Sequence, residues 1–157
     1  MTAPGTHFGG PLSSGPRAGE SGAADTPGSS GLAVLSQAAT LVQNGAGVNV
    51  SATFTIPKHT QILDFLVDGL VVWDSATSAV LTIGTAALGT QYASSINVKT
   101  NTRAVAPVSP TAAQLTAMAD TGTNRSVVVT VAVVGATTTG TTKVTMRYVQ
   151  TTQWDTN

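Results

Sequence analysis

The sequence predicts an all-β fold, a β-sandwich or jelly roll of about eight antiparallel strands with one short helix, preceded by an extended N-terminal arm. Three observations predict it. Val48, Val50, Ala52, Phe54 and Ile56 alternate with Asn49, Ser51, Thr53 and Thr55, the period-two pattern of a strand with one buried face. Residues 127–134 are a nearly unbroken apolar run rich in valine, which fits a strand buried on both faces. Turn-forming residues recur about every ten positions, a spacing that favours a sandwich over an α/β fold.

The elements follow in order. Residues 1–31 hold eight glycines, four prolines and five serines, and only Met1, Phe8 and Leu12 are large and apolar. Such a segment cannot bury enough surface to offset an ordering cost of about 1–2 kcal/mol per residue. Alone it is expected to be disordered, and it reads either as a floppy linker or as an arm that a partner surface orders. Residues 32–150 form the sandwich, and residues 151–157 a polar C-terminal tail. Residues 32–43 read as the first strand and Asn44-Gly45-Ala46-Gly47 as a turn; Pro57 closes the second strand. Residues 62–67 and 70–73 flank Asp68-Gly69. That dipeptide marks either a hairpin turn or a bulge at Gly69 in one continuous strand, and the shortness of the halves favours the continuous strand.

Residues 79–83, 92–99 and 103–108 are the next three strands. Thr111-Ala112-Ala113-Gln114 then fits a capping box, with Leu115, Met118 and Ala119 as the apolar stripe of a short helix. After residues 127–134, a threonine-rich turn around Gly140 leads to residues 143–150, where Val144, Met146 and Tyr148 share a face. Phe54, Phe65 and Trp73 are the expected largest members of an otherwise aliphatic core.

Composition narrows the function. Charged residues make up 9% of the 157, seven basic and seven acidic, against a usual figure of about 25%. Zero net charge offers no electrostatic footprint for nucleic acid or an anionic membrane. No cysteine is present, which removes disulfides, thiolate nucleophiles and cysteine zinc sites. Residues 1–31 lack the charged start and apolar run of a signal peptide, and no window holds 18 apolar residues, so no membrane helix is expected. The surface is therefore covered by threonine, serine, asparagine and glutamine, or by other protein.

Catalytic patterns are sparse. His7 and His59 are isolated and read as solvated side chains. Gly84–Thr90 shares two glycines with a phosphate loop but lacks the lysine that meets phosphate. Asp64, Asp68 and Asp74 are the densest acidic group. In an extended strand Asp64 and Asp68 stand about 13 Å apart on one face. That exceeds the roughly 5–9.5 Å that paired glycosidase carboxylates need. They read as rim carboxylates that discourage strand pairing with strangers. Asn49-Val50-Ser51 and Asn124-Arg125-Ser126 fit the glycosylation sequon as chance matches. No enzymatic activity, cofactor or metal is expected.

Three groups of residues carry a family resemblance. They are Leu32-Ala33-Val34-Leu35-Ser36-Gln37; Phe54-Thr55-Ile56-Pro57 with Ile62-Leu63-Asp64; and Trp73-Asp74-Ser75 with Leu81-Thr82-Ile83-Gly84-Thr85. The ending Lys143-Val144-Thr145-Met146-Arg147-Tyr148-Val149 adds a fourth. Over residues 30–150 the pattern resembles small β-rich proteins of tailed bacteriophages, the capsid decoration (cement) and head-fibre proteins. The resemblance implies a virion structural protein on the outer capsid surface. Its partners would be the major capsid protein and itself, as a homotrimer. Phe8 and Leu12 are then candidate anchors of the arm, and Arg17 a polar contact to carboxylates. Trp154 is either an interface anchor or folds back on the sandwich. The alternative is a head-fibre or tail module that binds a host receptor or glycan through exposed aromatic side chains.

Overall fold

The computed structural model describes residues 34–150 apart from 44, 46 and 101. Eight strands and one helix follow in chain order: β1 (Val34–Val42), β2 (Val50–Ile56), β3 (Thr60–Val71), β4 (Ser78–Gly84), β5 (Ala93–Asn97), β6 (Arg103–Ala106), α1 (Ala112–Met118), β7 (Arg125–Val134) and β8 (Thr141–Gln150). They form two four-stranded antiparallel sheets, ordered β1-β8-β3-β6 and β2-β7-β4-β5. Strands pair 1 with 8, 2 with 7, 3 with 6 and 4 with 5. This is a long hairpin rolled up on itself, the jelly-roll arrangement of an eight-stranded sandwich. The sequence left sandwich and jelly roll open, and strand order decides between them.

The core lies between the sheets. Phe54 and Ile56 from β2, Ile62, Phe65 and Val67 from β3, Leu81 and Ile83 from β4, and Val127, Val129 and Val131 from β7 meet Val144, Met146 and Tyr148 from β8. Phe54, Phe65 and Trp73 are buried as expected, and Tyr92 and Tyr148 join them. In β2 the alternation holds from Val50 to Ile56, with Ser51, Thr53 and Thr55 turned to solvent, but Val48, expected on the buried face, lies ahead of the strand and is 52% exposed.

β3 is continuous through Asp68-Gly69, so the bent strand with a bulge is the correct alternative. Its pairing with β8 slips twice, between Ile62 and Asp64 and between Gly69 and Val71. Leu63 and Leu70 are the extra residues. The first slip matters for the core, because strict alternation would put Asp64 on the buried face of Ile62. With the bulge, Asp64 stands opposite Arg147 on the outer face, and Phe65 and Val67 turn inward.

Three expectations need correction. The helix forms with its capping box, but Leu115 is 55% exposed; Met118 is the buried side chain, with Ala117 against the core. A seven-residue helix lying on a sandwich end uses only its last turn for burial. The strand predicted over 103–108 stops at Ala106, ahead of Pro107, which cannot donate to a ladder, and Val108 is exposed. β7 is fully buried only on its core face. On its outer face Thr130 is covered because the loop after β4 folds back, the Leu88 amide donating to Thr130 Oγ1 at 3.3 Å. Val128 and Ala132 beside it stay partly accessible.

Candidate interaction surface

One end of the sandwich gathers the connections that follow β1, β3, β5 and β7. Trp73 anchors it. Its ring is fully buried and its Nε1 donates to Thr142 Oγ1 at 2.8 Å. Asp74, next in sequence, ties the 72–77 loop to the 135–140 loop. Its Oδ1 accepts from the amides of Thr138 and Thr139 at 2.8 and 3.0 Å, and its Oδ2 from the Thr138 hydroxyl at 2.5 Å. These bonds favour the carboxylate, the Thr138 hydroxyl most, and lower the Asp74 pKa from 3.8 to about 2. Lys99 Nζ donates to Ser75 O at 2.6 Å, and the Gln43 amide to Gly140 O at 2.9 Å. The loops are thus joined by hydrogen bonds from the side chains of Asp74 and Lys99 and from the backbone of Gln43.

On this braced end sits an exposed apolar rim. Val42 of β1 and Val71 of β3 both stand opposite Thr141 of β8, so the three form one row across the sheet. Val42 is 53% exposed, Leu70 54% and Val71 47%, and Val72 is also exposed. Leu70 borders an open depression of about 370 Å³ lined by Asp68, Gly69, Thr102 and Arg103.

The next row holds charge. Lys143 and Asp68 stand opposite each other, and Asp68 stands opposite Arg103. Arg103 binds Asp68 through both forks, Nε to Oδ1 at 2.5 Å and Nη2 to Oδ2 at 3.2 Å. The Arg103 hydrogen bond, with help from the Lys143 charge, lowers the Asp68 pKa. Further along the same face Arg147 binds Asp64 in the same two-pronged way, Nε to Oδ1 at 2.6 Å and Nη2 to Oδ2. The two carboxylates are therefore not rim residues guarding an edge. β3 is an interior strand, and each aspartate is committed to an arginine on a neighbouring strand.

The outer face of the other sheet carries Ser51, Thr53 and Thr55 from β2, Ser78, Val80 and Thr82 from β4, and Val128, Thr130 and Ala132 from β7. None of these is charged, and Ser51 and Thr130 share a hydroxyl hydrogen bond of 2.9 Å across the strands.

The opposite end is closed by α1. Arg125 donates to the carbonyls of Ala117 at 2.6 Å and Met118 at 3.2 Å, and to Thr60 O at 2.8 Å. A cation at a helix C-terminus meets carbonyls left without intrahelical partners. His59, expected to be solvated, instead lies partly buried with its Nδ1 3.6 Å from Asp120 Oδ2.

No family model, curated protein or solved structure matches the chain. The arm candidates Phe8, Leu12 and Arg17, and the tail candidate Trp154, lie outside the described residues. All aromatic side chains among the described residues, Phe54, Phe65, Trp73, Tyr92 and Tyr148, are buried. The apolar rim is not legible in the sequence, which puts residues 70–73 in a strand without assigning them a face; the register slip between Gly69 and Val71 is what sets Val71 opposite Thr141 on the outer face.

Proposed function

We propose that this protein is a capsid decoration (cement) protein. It binds the outer surface of a bacteriophage head and stabilises the major capsid lattice, using the arm of residues 1–31 and the sandwich as an oligomer. The bacteriophage setting comes from the resemblance noted in the sequence; the resemblance also implies a homotrimer, but attachment as proposed here needs only an oligomer.

The observation that supports this reading is the division of apolar and charged groups on the sandwich. An exposed apolar rim of Val42, Leu70, Val71 and Val72 stands on hydrogen-bonded loops. Beside it the acidic groups of the sheet are already neutralised by Arg103 and Arg147. Such a surface attaches by apolar burial and backbone contact, both insensitive to screening. A protein that must stay on many equivalent lattice sites gains from that, and oligomerisation multiplies weak single-site affinity. The receptor or glycan alternative needs an exposed aromatic platform, and the described aromatics are all in the core.

The test is cosedimentation of the purified chain with capsid particles that lack it, with and without residues 1–31. The full chain is expected to bind at many copies per particle. Binding should persist from about 0.05 to about 1 M salt, over which the Debye length falls to about 3 Å. The truncated chain is expected to stay folded and lose binding. Undiminished binding by the truncated chain would remove the arm from the proposal, and absence of binding by the full chain would refute the function.

A further inference from the structure

The four strands at the sheet edges are not equally protected. An exposed edge invites pairing with another chain unless it is short, bent, charged or covered. β6 has four residues, begins at Arg103 and runs into Pro107. β5 has five, with Ser95 at φ 59° in its middle and an irregular register against β4. β2 has its Thr55 carbonyl already engaged by the Gln37 side chain at 3.0 Å. β1 has none of these devices. It runs nine residues in unbroken register with β8, without charge or proline, and with no strand on its other side among the described residues.

The β1 sequence is close to a palindrome. Val34-Leu35-Ser36-Gln37-Ala38-Ala39-Thr40-Leu41-Val42 read backwards gives Val, Leu, Thr, Ala, Ala, Gln, Ser, Leu, Val. The solvent-side residues are Val34, Ser36, Ala38, Thr40 and Val42, all exposed. About Ala38 they are symmetric in chemistry: valine, hydroxyl, alanine, hydroxyl, valine. We infer that β1 pairs antiparallel with β1 of a second copy of this chain, across a two-fold axis at Ala38.

In that register Val34 of each copy lies beside Val42 of the other. These are the most exposed apolar side chains of the strand, 58% and 53%. Ser36 faces Thr40 within hydroxyl hydrogen-bond reach, and Ala38 faces itself. Leu35, itself 40% exposed, meets Leu41 on the core side. The first sheet becomes one continuous eight-stranded sheet ordered β6-β3-β8-β1-β1-β8-β3-β6, and both unpaired edges disappear. A closed two-fold contact of this kind uses one self-complementary patch twice. It differs from the three-fold assembly that the resemblance implies, and it does not depend on capsid binding.

The chain has no cysteine, so one introduced thiol can form only an intermolecular disulfide. Directly opposed residues of an antiparallel pair have Cα atoms about 4.5–5.5 Å apart, inside the range of about 4.4–6.8 Å that a disulfide spans. Two Ser36 positions would be about 13 Å apart. Full-length protein with Ala38→Cys is expected to oxidise to a covalent dimer at least about tenfold faster than protein with Ser36→Cys. The unsubstituted chain should sediment at twice 15.7 kDa, and Ala38→Lys, which sets two like charges face to face, should sediment as a monomer. A monomeric or trimeric mass for the unsubstituted chain, or equal crosslinking rates at positions 38 and 36, would overturn the two-fold pairing.

Discussion

Gly140 is where a single atom decides packing. A Cβ at this position would run into Cδ2 and Cγ of the buried Trp73 ring, and the ring is pinned by its bond to Thr142. Gly140→Ala should therefore cost about 1–3 kcal/mol through overpacking, read from urea unfolding. A change below about 0.5 kcal/mol would mean that the ring moves aside. Asp74 makes a prediction in pH. Its carboxyl titrates at 3.8 ordinarily and at about 2 in the folded chain. A lowered folded pKa contributes stability that is present above about pH 4 and is lost as pH falls towards 2. Asp68, whose pKa is also lowered, contributes in the same direction. Asp74→Asn should lower stability at neutral pH and flatten its fall between pH 4 and 2. Parallel curves for the two proteins would assign the acid sensitivity to other groups. The sequence shows Asp74 as an acidic residue after Trp73 but not what it binds, because its partners Thr138 and Thr139 lie 64 and 65 positions away.

At the scale of elements, α1 shows how far local rules reach. The reciprocal bonds of the capping box, Gln114 amide to Thr111 Oγ1 at 3.2 Å and Thr111 amide to Gln114 Oε1 at 2.9 Å, are those that the spacing of the two residues predicts. Thr111→Ala should cost about 1 kcal/mol. The other end is held from a distance by Arg125, and Arg125→Met leaves the carbonyls of Ala117 and Met118 without that donor. We expect it to cost about 1–3 kcal/mol and to speed amide hydrogen exchange at Leu115 and Ala119. Unchanged exchange there would show that burial of Met118 alone holds the helix. The strands follow the same division. The alternation in β2 was legible because its outward residues are small and polar and its inward ones apolar, a contrast carried by the segment itself. The outward turn of Val71 was legible only in part: the sequence offers a bulge at Gly69, but which residue becomes the extra one is a relation between β3 and β8 rather than a property of either.

For the whole molecule, the consequence is an uneven surface on a chain poor in charge and of zero net charge. The apolar rim stands on a braced end, the ion pairs lie flat on one sheet, and the other sheet shows serine, threonine and small apolar groups. Leu70→Ser combined with Val71→Ser should change stability little, since both side chains are already half exposed. It should weaken binding to capsid particles about tenfold or more, because burying such side chains is worth about 1.5–3 kcal/mol each. Thermal unfolding and cosedimentation together test this. Equal binding by the variant and the parent chain would remove the rim from the contact.

The sequence by itself determined the all-β class, the eight strands, the helix with its cap and most of the core, because periodicity, capping and turn chemistry act over a few residues and leave their mark in order. Tertiary structure alone decided the jelly-roll pairing, the commitment of Asp64 to Arg147 and Asp68 to Arg103, the latch at Asp74, and the exposure of Leu70 and Val71. Each of these joins groups far apart in the chain. Which strand lies beside which is set by burying all inward faces at once, and no single segment carries that information.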